Sequence, residues 1–404
     1  MSPLKLNQSL RKGTIKAAWR TRHPGSSHTR ATAGLTFLCG AFVLWMILPG
    51  LGQPRPLTGE VPNFLKGKVF DLSGGAGGLE QKISQARSEA QKTKGGDLYF
   101  SAYEFESRHK THRGSRSYVR EDFAVDSKDA KIRIEEIGRG KNEVSVEGKS
   151  EDAPAPAVML LLWSQKSGLL DVSLLDLDES YEFSDASVYW LGRATNDESL
   201  ALTEKNFESA GSREHLQSAL IFTAGCHVSP KAPDFLKKAA LGNYTGKVRE
   251  SAVFWLGNYG DARSLGYLKE IFAKTQDTDV KKHIVFSIQL SRQKEAVEEL
   301  IRIAKNEPNQ DIRKNAVFWL GQKASAETIK ALKEIVDEPK EESKLKEQAV
   351  FAISQLPKEK SVPMLVDIAK TNKSPSVRKK AIFWLGQTGD EAALKFFEEI
   401  LLKK

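Results

Sequence analysis

Val377-Arg378-Lys379-Lys380-Ala381-Ile382-Phe383-Trp384-Leu385-Gly386-Gln387-Thr388-Gly389-Asp390 closes one helix and opens another. Val377, Ala381 and Leu385 are spaced by four, which puts them on one helical face. Gly386 and Gly389 break that helix. The Asp390 carboxylate can accept from the exposed N–H groups at the start of the next. Ala393, Leu394, Phe397, Ile400 and Leu401 then give a second helix its apolar face. The stretch therefore predicts a unit of helix, tight turn, helix.

The same arrangement recurs toward the N-terminus. With Phe383 as anchor, aromatics recur at Phe351, Phe318, Phe286, Phe254, Phe222 and Tyr189, spaced by 32 or 33 residues. Six positions before each anchor stands an apolar residue, from Phe183 to Val377. Two positions after it stands another, from Leu191 to Leu385. Three positions after it comes a small or polar residue: Gly192, Gly225, Gly257, Gln289, Gly321, Ser354 and Gly386. One helix pair cannot bury its apolar faces alone, whereas stacked neighbours can. The pattern predicts a mainly α protein whose residues 181–404 form an α-solenoid of about seven helix pairs.

A second period lies on the first. Trp190, Trp255, Trp319 and Trp384 follow the anchor in alternate units and each opens Trp-Leu-Gly; Thr223, Ser287 and Ala352 stand there in the others. Large beside small in one column points to interdigitation between neighbouring units. Two roles suit the tryptophans: a ladder packed between helices, or an exposed row gripping a partner, since Trp is enriched at interface hot spots.

Residues 377–390, with the same pattern at 248–261 and 312–322, resemble the bacterial HEAT-like repeat of the type named after phycocyanobilin lyases. The resemblance covers residues 181–404. It implies the helical-repeat fold but no single function, because that repeat serves many proteins. One enzyme built on it, deoxyhypusine hydroxylase, holds two irons with His-Glu pairs. This chain has no His-Glu dipeptide, and its seven histidines are scattered. Nothing in the sequence specifies the pigment-binding context that bilin lyase activity would imply.

The net charge is +9, and seven of those charges lie within residues 1–30, with no Asp or Glu before Glu60. The remainder is close to neutral and lacks the footprint that phosphate binding needs, so nucleic acid is not an expected partner. From Ala31 to Pro54 no charged residue occurs, and the run includes Gly-Leu-Thr-Phe-Leu-Cys-Gly-Ala-Phe-Val-Leu-Trp-Met-Ile-Leu. About 20 apolar residues in a helix cross a bilayer core. Residues 31–54 are therefore expected to be a transmembrane anchor or signal segment. Residues 1–30 would stay cytoplasmic and the rest of the chain would face the periplasm or outside. The long apolar core, the long basic flank and the lack of a following Ala-x-Ala favour an uncleaved anchor over a cleaved signal.

Residues 55–96 read as a linker with a short helix near 79–92. The run Gly74-Gly75-Ala76-Gly77-Gly78 lacks the Gly-Lys-Ser/Thr of a phosphate-binding loop. Residues 97–180 read as a small antiparallel β unit, with alternating or short apolar runs separated by Gly and Pro. Within it, Arg108, Arg113, Arg116 and Arg120 form the densest charge after residue 54. A solvated hairpin tip is one reading; a contact for an acidic partner or anionic lipid is the other.

Candidate chemistry is sparse. Cys39 and Cys226 provide no disulfide framework or zinc site. Cys226 and His227 are adjacent, and neighbours on a helix do not face the same way. His109 and His112 could supply two ligands, but a closed structural site needs four. No catalytic residue, metal or cofactor site emerges, and no small-molecule substrate. The sequence points to a non-enzymatic scaffold or adaptor at the cell envelope. Its candidate contacts are the four tryptophans and the four arginines. A regulatory or assembly subunit of an enzyme complex is the alternative, with a metal- or bilin-dependent enzyme behind it.

Overall fold

The computed structural model describes residues 57–93, 96–109, 134–136, 154–175, 177 and 180–402. Residues 1–30, the apolar segment 31–54 and most of the arginine-rich run lie outside the described residues. Among the described residues no helix is long and apolar enough to cross a membrane.

Six strands form one sheet: β1 (Leu65–Asp71), β2 (Leu98–Ser107), β3 (Ile134–Glu136), β4 (Ala155–Ser164), β5 (Gly168–Leu175) and β6 (Tyr181–Arg193). Their order is β1-β6-β2-β4-β5, with β3 paired to the first residues of β6. A helix, α1 (Leu79–Lys92), lies between β1 and β2 in the chain. The pleat divides the apolar residues. Tyr99, Tyr103, Phe105, Met159 and Leu161 face the helices and join their core, whereas Phe100, Ala102, Leu160, Leu162 and Trp190 build a second core on the opposite face.

This sheet corrects two expectations. It is mixed rather than antiparallel, because β6 runs parallel to both β1 and β2. It also draws strands from outside 97–180. β1 comes from the stretch read as linker; as a Lys-bearing edge strand it carries little alternating apolar signal. Gly67 bends it at φ +90°, where a Cβ would lie 2.3 Å from the Phe183 carbonyl oxygen. β6 holds Tyr189-Trp190-Leu191-Gly192, which was expected on the first solenoid helix. Here Tyr189 and Leu191 face one side of a strand and Trp190 the other. Gly192 sits at φ +78°, which no α-helix accommodates.

The solenoid therefore has six helix pairs plus one unpaired helix rather than seven pairs. The unpaired helix is α2 (Asn196–Ser209). The pairs are α3 (Glu214–Cys226) with α4 (Ala232–Leu241), α5 (Gly246–Tyr259) with α6 (Ala262–Lys274), and α7 (Thr278–Leu290) with α8 (Lys294–Asn306). They continue with α9 (Gln310–Gly321) and α10 (Ala326–Asp337), α11 (Ser343–Ser354) and α12 (Lys358–Thr371), and α13 (Pro375–Thr388) and α14 (Glu391–Leu402). Local signals set the ends. Asp261, Asp277, Asn309 and Ser325 cap helix N-termini through their side-chain oxygens. Gly260 and Gly389 end α5 and α13 in the left-handed conformation.

The first helices of the pairs form one layer and the second helices the other. In the first layer the backbones nearly touch. A Cβ on Gly257 would lie 2.5 Å from the Ser287 carbonyl oxygen, and one on Gly321 would lie 2.9 Å from Ala352 Cα. This is why the column three after the anchor is small where the next unit carries Ser or Ala. In the second layer α6 and α8, and likewise α10 and α12, scarcely meet. Closer spacing in one layer bends the stack toward it, so the first layer lines the inner face.

Candidate partner-binding face

The anchor aromatics and the tryptophans beside them point away from the second layer, onto the inner face. They form one continuous ladder. Phe222 meets Trp255 edge-on at 5.4 Å between ring centroids, and Trp255 meets Phe254 at 5.3 Å. Phe254 stacks on Phe286 at 6.2 Å, and Phe286 meets Trp319 at 4.9 Å. The same three steps repeat through Phe318, Phe351, Trp384 and Phe383. Trp255, Trp319 and Trp384 are half-buried. Each thus packs between neighbouring units and still leaves part of its surface exposed. Trp190 does not join them. It is fully buried in the sheet's second core, and its indole N–H donates to the Gly59 carbonyl at 2.8 Å.

The ladder runs into a groove between α9, α11 and α13. Its volume is about 330 Å³, and Phe351, Trp384, Gln348, Glu347, Lys314, Lys344 and Lys380 line it. Lys314 is paired with Asp311 at 3.2 Å, and Lys344 and Lys380 against Glu347 leave the groove a local positive charge. The Lys380 ammonium lies 5.8 Å from the Phe383 ring centre and 6.0 Å from that of Trp384. The indole N–H groups of Trp319 and Trp384 are buried without a hydrogen-bond partner among the described residues.

Arg108 has a different place. Its guanidinium lies 3.7 Å from the Tyr259 ring centre, its Nη2 donates to the Tyr259 carbonyl, and its backbone N–H donates to the Cys226 carbonyl at 2.8 Å. It fastens the end of β2 to α3 and α5 and is not a free surface cation. Arg113, Arg116 and Arg120 lie outside the described residues, as does His112. His109 packs on Trp255 at 5.7 Å, and burial lowers its pKa below the usual histidine value.

Cys226 and His227 are both buried at the same junction. Burial pushes the Cys226 thiol up to about 12, so it is an inert core residue. His227 Nδ1 is 2.7 Å from the Thr223 carbonyl, which can only accept, so that nitrogen carries the proton. Nε2 then accepts from Ser199 Oγ at 2.7 Å, and Ser199 accepts from the Tyr103 hydroxyl at 2.8 Å. The network is satisfied with a neutral imidazole. Desolvation lowers the His227 pKa to about 4. Among the described residues no three His, Cys, Asp or Glu side chains gather as metal ligands.

One recurrent contact was missed from sequence. Arg249 and Arg313, five positions before the anchor, donate from Nε to the carbonyls of Ala240 and Ala304 in the preceding unit. Each also pairs with a carboxylate at the start of the following unit, Asp277 for Arg249 and Glu341 for Arg313. The sign was available: arginine stands in that column in every unit that carries a helical tryptophan, Arg378 included.

Residues 339–404 match the family described as HEAT repeats, and residues 248–274 match the PBS lyase HEAT-like repeat. The helix pairs within those two ranges match HEAT-like repeats. Among solved structures, human deoxyhypusine hydroxylase is 19% identical, with 50% of this chain and 78% of that chain covered and a TM-score of 0.24. The complex of CpcE and CpcF of phycocyanin lyase from Nostoc sp. is 19% identical, covering 49% and 79% with a TM-score of 0.30. The E. coli protein YibA is 18% identical, covering 51% and 76% with a TM-score of 0.32. At such low TM-scores these likenesses carry no argument, and the fold rests on the chain's own repeats. A comparison with curated proteins finds no match.

Proposed function

We propose that this HEAT-repeat protein is a non-enzymatic scaffold that binds a polypeptide along its inner face, with the aromatic ladder as the contact. The ladder carries the reading. A row of half-buried Phe and Trp side chains, fixed by packing, offers apolar area at little entropic cost on binding. Lys314, Lys344 and Lys380 around its C-terminal groove suit a segment that carries acidic residues beside an apolar or aromatic anchor. The apolar segment 31–54 supports placing this scaffold at the cell envelope, tethered by its N-terminal part.

The test is co-purification from cross-linked cells of the native host. The expected result is a reproducible partner with the wild-type chain that is lost with Lys314→Glu/Lys344→Glu/Lys380→Glu, while the helical circular dichroism stays unchanged. A partner retained by the triple variant would refute the inner-face assignment. Stoichiometric iron or zinc in the purified protein, with no partner, would replace the scaffold with a metalloenzyme.

A further inference from the structure

The aromatic ladder repeats with a period of two units, and the charges around it do not. The groove at Phe351 and Trp384 has a counterpart 64 or 65 residues earlier, where α5, α7 and α9 stand in the places of α9, α11 and α13. The aromatic frame is the same in both. Phe286 meets Trp319 at 4.9 Å and 45°, and Phe351 meets Trp384 at 5.0 Å and 46°. All four rings are half-buried. Every charged position around the frame changes. Glu250 stands where the groove has Lys314, Asp279 where it has Lys344, Lys282 where it has Glu347, and Asn315 where it has Lys380. Local pairs reduce the contrast but keep its sign. With Lys314 paired to Asp311, Lys344 and Lys380 against Glu347 leave one excess cation. Lys282 pairs with Asp279 at 3.3 Å, which leaves the Glu250 carboxylate, 3.3 Å from His283 Nε2. At the remaining helical tryptophan the ladder is already covered, because His109 packs on Trp255. Packing between units explains the repeated rings, but it does not set the sign of the charges beside them.

We propose that the inner face binds one extended polypeptide segment with two apolar or aromatic anchors, an acidic residue beside one and a basic residue beside the other. The proposal rests on the inner-face reading above and adds the order of charges. The acidic end lies over Phe351 and Trp384, where Lys344 and Lys380 receive it. The basic end lies over Phe286 and Trp319, beside Glu250 and Asp279. Neighbouring helices pack about 8–10 Å apart, so two units separate the anchors by roughly 16–20 Å. An extended chain rises about 3.3 Å per residue, so about five or six residues join them. A uniformly acidic or uniformly basic segment would meet a like charge at one end, and such a contact rejects the wrong partner. The rings fix where the anchors sit, and the charges fix which end goes where.

Photo-cross-linking of the full-length chain to synthetic peptides tests this. The probe is Glu-Phe-Gly-Ser-Gly-Ser-Phe-Lys, acetylated and amidated, with benzoylphenylalanine in place of one Phe or the other. The account predicts that the photoreactive group beside Glu labels α11 and α13, and that the one beside Lys labels α7 and α9. In Glu250→Lys/Asp279→Lys/Lys314→Glu/Lys344→Glu the two sets of adducts should exchange, with helical circular dichroism unchanged because none of the four side chains is buried. Peptides of the same spacing with Glu at both ends, or Lys at both ends, should bind about five- to tenfold more weakly. Adducts at both places from either probe, or adducts that do not exchange in the variant, would overturn the charge order and leave the scaffold reading standing. No adduct on the inner face from any peptide would overturn both.

Discussion

Gly257→Ala tests the packing of the inner layer. In an exposed helix interior, glycine to alanine gains about 0.8–1 kcal/mol through helix propensity. At Gly257 that gain meets a backbone obstacle. The new Cβ would lie 2.5 Å from the Ser287 carbonyl oxygen and 2.7 Å from its Cα and Cβ. None of these is the tip of a flexible side chain, so α5 and α7 must part. Overpacking of this kind costs about 1–3 kcal/mol, which cancels the gain and leaves a net loss of up to about 2 kcal/mol. Gly266, in α6, is the control: nothing lies within 4 Å of its Cβ position, and Gly266→Ala should be stabilising by up to about 1 kcal/mol. Urea unfolding reads both signs as shifts in midpoint, and hydrogen exchange in α5 and α7 locates the first. If Gly257→Ala raises the midpoint as Gly266→Ala does, the helices of the inner layer do not approach as described.

Further outcomes follow from the junction between sheet and repeats. His227 has a folded pKa of about 4 against an ordinary 6.5, so the unfolded chain binds its proton first as pH falls. Its contribution is intact above pH 6.5 and is lost progressively toward pH 4, by up to about 3 kcal/mol. Thermal unfolding of wild type and His227→Phe across that window should show a steeper loss in wild type; parallel curves would remove the neutral-histidine assignment. Arg108→Lys keeps the charge but loses the flat stack on Tyr259, and should cost about 1–2 kcal/mol in urea unfolding. No change would mean the guanidinium contact contributes nothing to the junction.

Much of this architecture was legible because stacking repeats impose columns, and columns survive as a period. The 32–33-residue spacing placed five inner-layer interfaces and predicted the large–small alternation that Gly257 against Ser287 explains. The reading failed at Tyr189-Trp190-Leu191-Gly192, where the repeat signature lies on β6. The signature specifies side chains to bury, and a strand buries Trp190 as fully as a helix would. What decided between them was non-local: β1 and β2 flank β6 on both sides, and no period marks that pairing. The inner-face ladder was legible as residues but not as a surface, since exposure depends on how the stack bends. Neither reading of the arginine run anticipated the place of Arg108, because its partner, Tyr259, lies 151 residues away.

The inner face as binding surface is tested most directly by site-specific photo-cross-linking in cells of the native host. A photoreactive residue replaces Lys344 at the groove in one chain and Lys330, exposed on the outer layer, in another. The account predicts one discrete protein adduct from position 344, none from position 330, and loss of the first when Lys314→Glu and Lys380→Glu are added. Adducts at position 330 and not at 344, or at neither, would contradict it.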